Sequence, residues 1–221
     1  MKSSRSLTFL LALVLVAMPL GACARTSESN PDSHSTPAAD VKPAASQSAK
    51  NAGILNICLG ELEGRLLRFV SAFKVPGDMA STRLESAVGI RLGPPIDAPD
   101  SWYEVTGISL AEGYTLNATH FPMKQGFSRI QVSVHMPDGK DPTRKPTAVC
   151  IWDAATLSKK LEAIGYKGGG RMPFQNGWIR QHWRSIGDGK QGFSVALLIY
   201  ETGDEPPREC VSGLQIDGGD A

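Results

Sequence analysis

The stretch from Ala24 to Lys50, ARTSESNPDSHSTPAADVKPAASQSAK, contains one large aliphatic residue, Val41, and no aromatic. A segment of this kind cannot bury enough apolar surface to offset the entropy lost on ordering. It therefore divides the chain, and a core can form only outside it. The sequence predicts a flexible tether over 23–50, with a root-mean-square reach of roughly 30 Å. A single globular domain is expected over 51–217, and the glycine-rich end Gly218–Ala221 reads as a loose tail.

Ahead of the tether, Met1, Lys2 and Arg5 form a positive segment, and Leu7–Val16 (LTFLLALVLV) is apolar apart from Thr8. This run is too short to span a bilayer but suits the apolar region of a secretory signal. Leu20-Gly21-Ala22-Cys23 follows. These four residues resemble the lipobox of bacterial lipoproteins: an aliphatic residue, two small residues and a cysteine. The resemblance implies that residues 1–22 are a signal peptide removed before Cys23, and that the Cys23 sulfur carries a diacylglycerol. Each buried methylene contributes about 0.8 kcal/mol, so two or three acyl chains hold a domain on a membrane where one would not. Ala24, in place of an Asp after the cysteine, implies the periplasmic side of the outer membrane in a Gram-negative host.

Within 51–217, Leu62, Leu66, Phe69, Val70 and Phe73 recur at helical spacing, and so do Ala154, Leu157, Leu161 and Ile164 behind Asp153 as N-cap. Two helices are expected, over about 60–73 and 154–164. The intervening and following segments alternate as strands: 102–108, 114–121, 127–136, 147–152, 177–186, 193–200 and 209–216. Phe193–Tyr200 is almost wholly apolar, which predicts an interior strand. Lys124-Gln125-Gly126-Phe127-Ser128 recurs as Lys190-Gln191-Gly192-Phe193-Ser194, and each copy opens an apolar strand. Either chance or duplication explains the identity. Duplication predicts an α+β fold of two helix-plus-antiparallel-meander units with pseudo-twofold character.

With Cys23 lipidated, Cys58, Cys150 and Cys210 remain, an odd number in an oxidising compartment. Three pairings are open. Cys58–Cys210 is the expectation, because it would fasten the start of the domain to its end, leaving Cys150 as a buried thiol.

The formal net charge of +1 offers no field for a nucleic acid. No zinc-protease, nucleophile-elbow, phosphate-loop or dinucleotide signature is present, so no cofactor, no metal and no catalytic role are expected. Gly168-Gly169-Gly170 reads as a flexible turn, and His120 and His135 lie near strand ends where they could meet. In Gly177–Ile186 (GWIRQHWRSI), strand alternation puts Trp178, Arg180, His182 and Arg184 on one face and Ile179, Gln181, Trp183 and Ser185 on the other. Trp and Arg are the residues favoured in interface hot spots, so the first face is the expected partner-binding surface. The alternative is that its tryptophan is core and its arginines flank the strand.

Cys58-Leu59-Gly60 followed by Phe73-Lys74-Val75-Pro76 resembles the immunity lipoproteins of phospholipases delivered by type VI secretion, although Glu61 stands where that family has an arginine. The resemblance implies a membrane-anchored periplasmic module that occludes a protein partner. An envelope-assembly or structural lipoprotein is the alternative, and a periplasmic hydrolase is a third.

Overall fold

The computed structural model describes residues 53–94 and 101–220. The lipobox at Leu20–Cys23 and the tether lie outside the described residues.

The first predicted helix forms as α1, Leu59–Ser71, burying Leu62, Leu66, Phe69 and Val70 along one stripe. Just beyond it, Asp78 ties a short turn by accepting the Lys74 and Val75 amides at 2.8 and 3.0 Å. Burial raises the Asp78 pKa, but those two amides and Arg83 outweigh it and hold the carboxyl below its ordinary value. A helix not expected from sequence follows: α2, Ser81–Val88, stopped by Gly89 at φ +84°, where a side chain would be strained. The third helix is α3, Ala154–Ala163, and Asp153 caps it as predicted, accepting the Thr156 amide at 2.7 Å.

The strands are β1 (Tyr103–Ser109), β2 (Thr115–Pro122), β3 (Ser128–His135), β4 (Trp152–Asp153), β5 (Lys167–Phe174), β6 (Gly177–Ile186), β7 (Gln191–Glu201) and β8 (Glu209–Asp220). They build one antiparallel sheet in the order β1-β2-β3-β8-β7-β6-β5, with β4 added beside β8. The fold is α+β, as expected, with three α-helices among the described residues in place of two. The expected strand over 147–152 shrinks to β4. The triple glycine is not a turn but part of edge strand β5, whose register slips between Gly168 and Arg171 and whose residues are all exposed. Bulges and exposed polar residues are common protection for an edge strand. Interior strand β7 buries Phe193, Val195, Leu197 and Ile199.

All three helices pack on one face of the sheet. α1 and α3 are joined by Lys160–Glu63, Trp152 Nε1 donates to Leu59 O, and Tyr166 donates to Val70 O. Phe73 and Phe127 both meet Phe193 in the same core. Gly218 permits this, because a Cβ there would stand 2.1 Å from the Phe127 ring.

The two Lys-Gln-Gly turns lie side by side at one end of the sheet, where Gln191 donates to Gln125 at 2.9 Å. Their strands, β3 and β7, are both antiparallel to β8 and so run parallel to each other. A twofold normal to the sheet makes equivalent strands antiparallel. The repeated pentapeptide therefore does not mark such an axis.

The expected Cys58–Cys210 bridge is replaced by Cys150–Cys210. The reason is that β4 docks beside Cys210 on β8, while the segment just before it, held on Tyr200, leaves the strand register and places Cys150 at a Cα–Cα distance of 5.3 Å from Cys210. Cys150 is accordingly no free thiol. Tyr200 braces the segment before β4, accepting the Ile151 amide and donating to Val149 O, each at 2.9 Å.

Candidate protein-binding face

Strand pairing fixes which side chains share each face. One row reads His120, Ile130, Ile216, Val195, His182 across β2, β3, β8, β7 and β6. All five are buried, on the side that carries the helices. Trp178, Arg180, His182 and Arg184 share this side, as alternation predicts. That side is turned inward. His182 is fully buried. Arg184 clamps two helix ends, donating to Val70 O in the last turn of α1 and Phe73 O just beyond it at 3.1 and 2.7 Å, and to Ile164 O after α3 at 3.1 Å. Its guanidinium also lies 4.6 Å above the Tyr166 ring. Arg180 pairs with Glu209 at 2.6 Å, and Arg171 covers the Trp178 ring at 3.8 Å. The row expected to meet a partner thus serves the core and the helix ends.

The adjacent row reads Phe121, Arg129, Asp217, Ser194, Trp183. It belongs to the opposite side, over which no described helix packs. The next row on that side is Thr119, Gln131, Gln215, Ala196, Gln181, and then come Ser133, Leu198 and Ile179. The middle of these rows carries Ser, Ala and Gln side chains and one ion pair. Arg129 and Asp217 neutralise each other at 2.5 Å, and Gln215 donates to Asp217 at 2.7 Å. Large side chains stand at the margins. Trp102 stacks on Phe121 at 5.7 Å on one side, while Met172 and Phe174 of β5 are exposed on the other. Trp183 lies flat over Gly192, where a Cβ would collide with the indole at 2.5 Å. Of these marginal residues the sequence points to Trp183, on the second face of 177–186, and reads Trp102 as a core residue at a strand end.

This face brings together Ser133, His135 and, on the segment after β3, Asp141. They do not form a triad. Asn117 Oδ1 accepts the Gly107 amide at 2.8 Å, which fixes the orientation of the side-chain amide. Its nitrogen therefore donates to His135 Nε2 at 2.9 Å, and the lone pair that would take a proton from Ser133, 3.5 Å away, is already occupied. Asp141 spends its oxygens on Thr143 and Arg144. His120 and His135 do not meet. The first donates from Nε2 to Met79 O in the core, the second sits on the open face, and among the described residues no group of three metal-ligating side chains converges.

The buried histidines make stability depend on pH. His120 Nδ1 and both ring nitrogens of His182 have no hydrogen-bond partner among the described residues. Burial lowers both pKa values from the ordinary 6.5. The unfolded chain then binds protons before the folded chain does, so stability is lost as pH falls below about 6.5, by about 1.4 kcal/mol per pH unit per histidine until the folded groups titrate. Urea midpoints at pH 7.5 and 5.5 read this directly. His120→Gln keeps a donor for Met79 O and flattens the slope by about half; an unchanged slope would refute the assignment.

No family model matches the chain, and no curated protein or solved structure matches it either.

Proposed function

We propose that this chain is a lipid-anchored periplasmic binding module, an inhibitor or immunity-type lipoprotein that covers a protein partner with the open face of its sheet. The observation that carries the reading is the make-up and size of that face. Seven paired strands cross it. At about 4.8 Å between strands and about 3.3 Å per residue, it offers on the order of 700 Å². A standard protein interface takes about 800 Å² from each partner. Aromatic residues, Met and Arg are enriched in such interfaces and free charges are depleted at their centres. Trp102, Phe121, Met172, Phe174 and Trp183 around a middle whose charged side chains, Arg129 and Asp217, are paired with each other fit that description. The lipobox supplies the anchor on Cys23, and the low-hydrophobicity tether lets the domain search the volume beside the membrane.

Two measurements test the reading. Capture from periplasmic extract on the mature chain is expected to retain one folded protein, and Trp183→Ala to weaken that complex at least thirty-fold, about 2 kcal/mol for an anchor residue. Retention of no protein, or binding indifferent to Trp183, defeats the docking half. Capture of an envelope complex in place of a toxin or hydrolase selects the envelope-assembly alternative. For the anchor, mass spectrometry of the mature N-terminal peptide is expected to show a diacylglycerol thioether on Cys23. One sulfur cannot carry both a thioether and a disulfide, and Cys23 is the only other cysteine in the chain. A Cys23–Cys58 linked peptide therefore rejects lipidation.

A further inference from the structure

On the helix-bearing side of the sheet, α1 and α2 leave a cleft of about 270 Å³ between them. Phe69, Ala72 and Ala87 give it an apolar lining, and three guanidiniums, Arg65, Arg68 and Arg83, stand around it with one carboxylate, Asp78. Two of the three are committed. Arg65 donates to Val88 O at 2.6 Å and to Glu61 at 2.8 Å. Arg83 meets Asp78 at 3.2 Å, while the same carboxylate holds the Lys74 and Val75 amides. Glu85 of α2 accepts the Leu92 amide, and Glu63 of α1 pairs with Lys160. Each carboxylate of α1, α2 and the turn joining them thus has a partner. Arg68 is exposed and pairs with no carboxylate among the described residues, so its whole fork of donors is open. Arg83 is 60% exposed and spends one nitrogen on Asp78, which leaves further donors toward the cleft. Ser86 adds a hydroxyl.

We propose that this cleft binds the phosphodiester of an anionic phospholipid headgroup. A guanidinium fork matches phosphate oxygens two at a time, and Arg68 and Arg83 line the same space. A phosphodiester carries a single negative charge, which is what one uncompensated arginine balances. Its carbon substituent can lie against Phe69, Ala72 and Ala87, where a bare phosphate ion would make no use of the apolar lining. The volume falls just below the about 300 Å³ at which clefts for larger ligands begin, so it suits a headgroup. The site itself is independent of the protein-binding reading and uses none of its residues. The choice of a membrane lipid as the source rests on the lipid-anchor reading, which keeps the domain beside a surface dense in phosphodiesters. With the helices toward that surface, the open face of the sheet points away from it, so headgroup and protein partner are bound on opposite sides.

The test uses the mature chain with Cys23→Ser, so that no acyl chain contributes, sedimented with phosphatidylglycerol or phosphatidylcholine vesicles. Binding to phosphatidylglycerol is expected to be about ten-fold the stronger. Arg68→Ala is expected to lower it about five-fold, the contribution of one basic residue at an anionic surface. Lys145→Ala removes the same charge from the exposed segment between β3 and β4 and is expected to leave it nearly unchanged. Arg68→Lys keeps the charge but loses the fork, and recovers less than half of the loss. Glycerophosphoglycerol, the headgroup without its acyl chains, is expected to shift the amide resonances of Ala72, Ser86 and Ala87. Equal binding to the two vesicles, shifts centred elsewhere, or an equal loss in Lys145→Ala and Arg68→Ala overturns the proposal, the last in favour of a general field. Glycerophosphoglycerol shifts without vesicle binding overturn it in favour of a soluble phosphodiester. An Arg68→Ala variant that loses the captured protein partner and keeps the vesicles also overturns it, and gives the cleft to the protein interface. Arg68-dependent vesicle binding by a chain whose Cys23 proves unmodified keeps the site and rejects the anchor, whereas a lipidated Cys23 without such binding keeps the anchor and rejects the site.

Discussion

Replacing Cys150 and Cys210 together by alanine lowers the melting temperature by about 8–16 °C. The bridge closes a loop with a sequence separation of 60, for which the chain-entropy model gives about 4 kcal/mol. For a chain of this size each kcal/mol shifts the transition by about 2–4 °C. The bridge also pins the start of α3, because β4 and Asp153 lie directly after Cys150 and pair with β8 at Cys210. Unfolding followed by circular dichroism on the oxidised wild type and the double variant reads the difference. Non-reducing peptide mapping is expected to recover Cys150 joined to Cys210. A Cys58–Cys210 peptide, or a double variant as stable as the wild type, contradicts the strand pairing on which this rests.

Arg184→Met is the second large effect, expected to cost about 2–3 kcal/mol. One guanidinium satisfies carbonyls left over at the ends of two helices, Val70 O and Phe73 O on one side and Ile164 O on the other. The last carbonyls of a helix have no partner within it, and a charged donor to such a group contributes more than a neutral one. A cation at a helix C-terminus also meets the negative end of its dipole. Tyr166 partly compensates, since its hydroxyl still donates to Val70 O. Arg184→Lys recovers less than half of the loss, because an ammonium lacks the planar fork that spans both helix ends. Urea unfolding of the three proteins checks the order. A Met variant within about 0.5 kcal/mol of the wild type refutes the clamp.

Much of the architecture is readable in the chain because it depends on local physics. The α1 stripe, the Asp153 cap and the alternation in 177–186 arise from spacing within a dozen residues, and all appear where expected. α2 is not legible in the sequence because Ser81–Val88 offers only Leu84 and Val88 as buried residues, too few to show a period. β5 is not legible either, because three glycines carry no side-chain pattern, and pairing with β6 makes the strand.

The sequence by itself makes a segment whose one large aliphatic residue is Val41 the expected divider between a signal-like start and an α+β fold. It also determined that two alternating faces exist on β6, since hydrophobicity and side-chain period are properties of the local chain. Only the tertiary structure decided which face turns toward the helices. It thereby gave Arg184 and His182 to the interior and Trp183 to the open side. It also decided that Cys150, not Cys58, reaches Cys210, because β4 docks on β8. Both outcomes depend on contacts between residues far apart in the chain, and these form only when the sheet closes over its core.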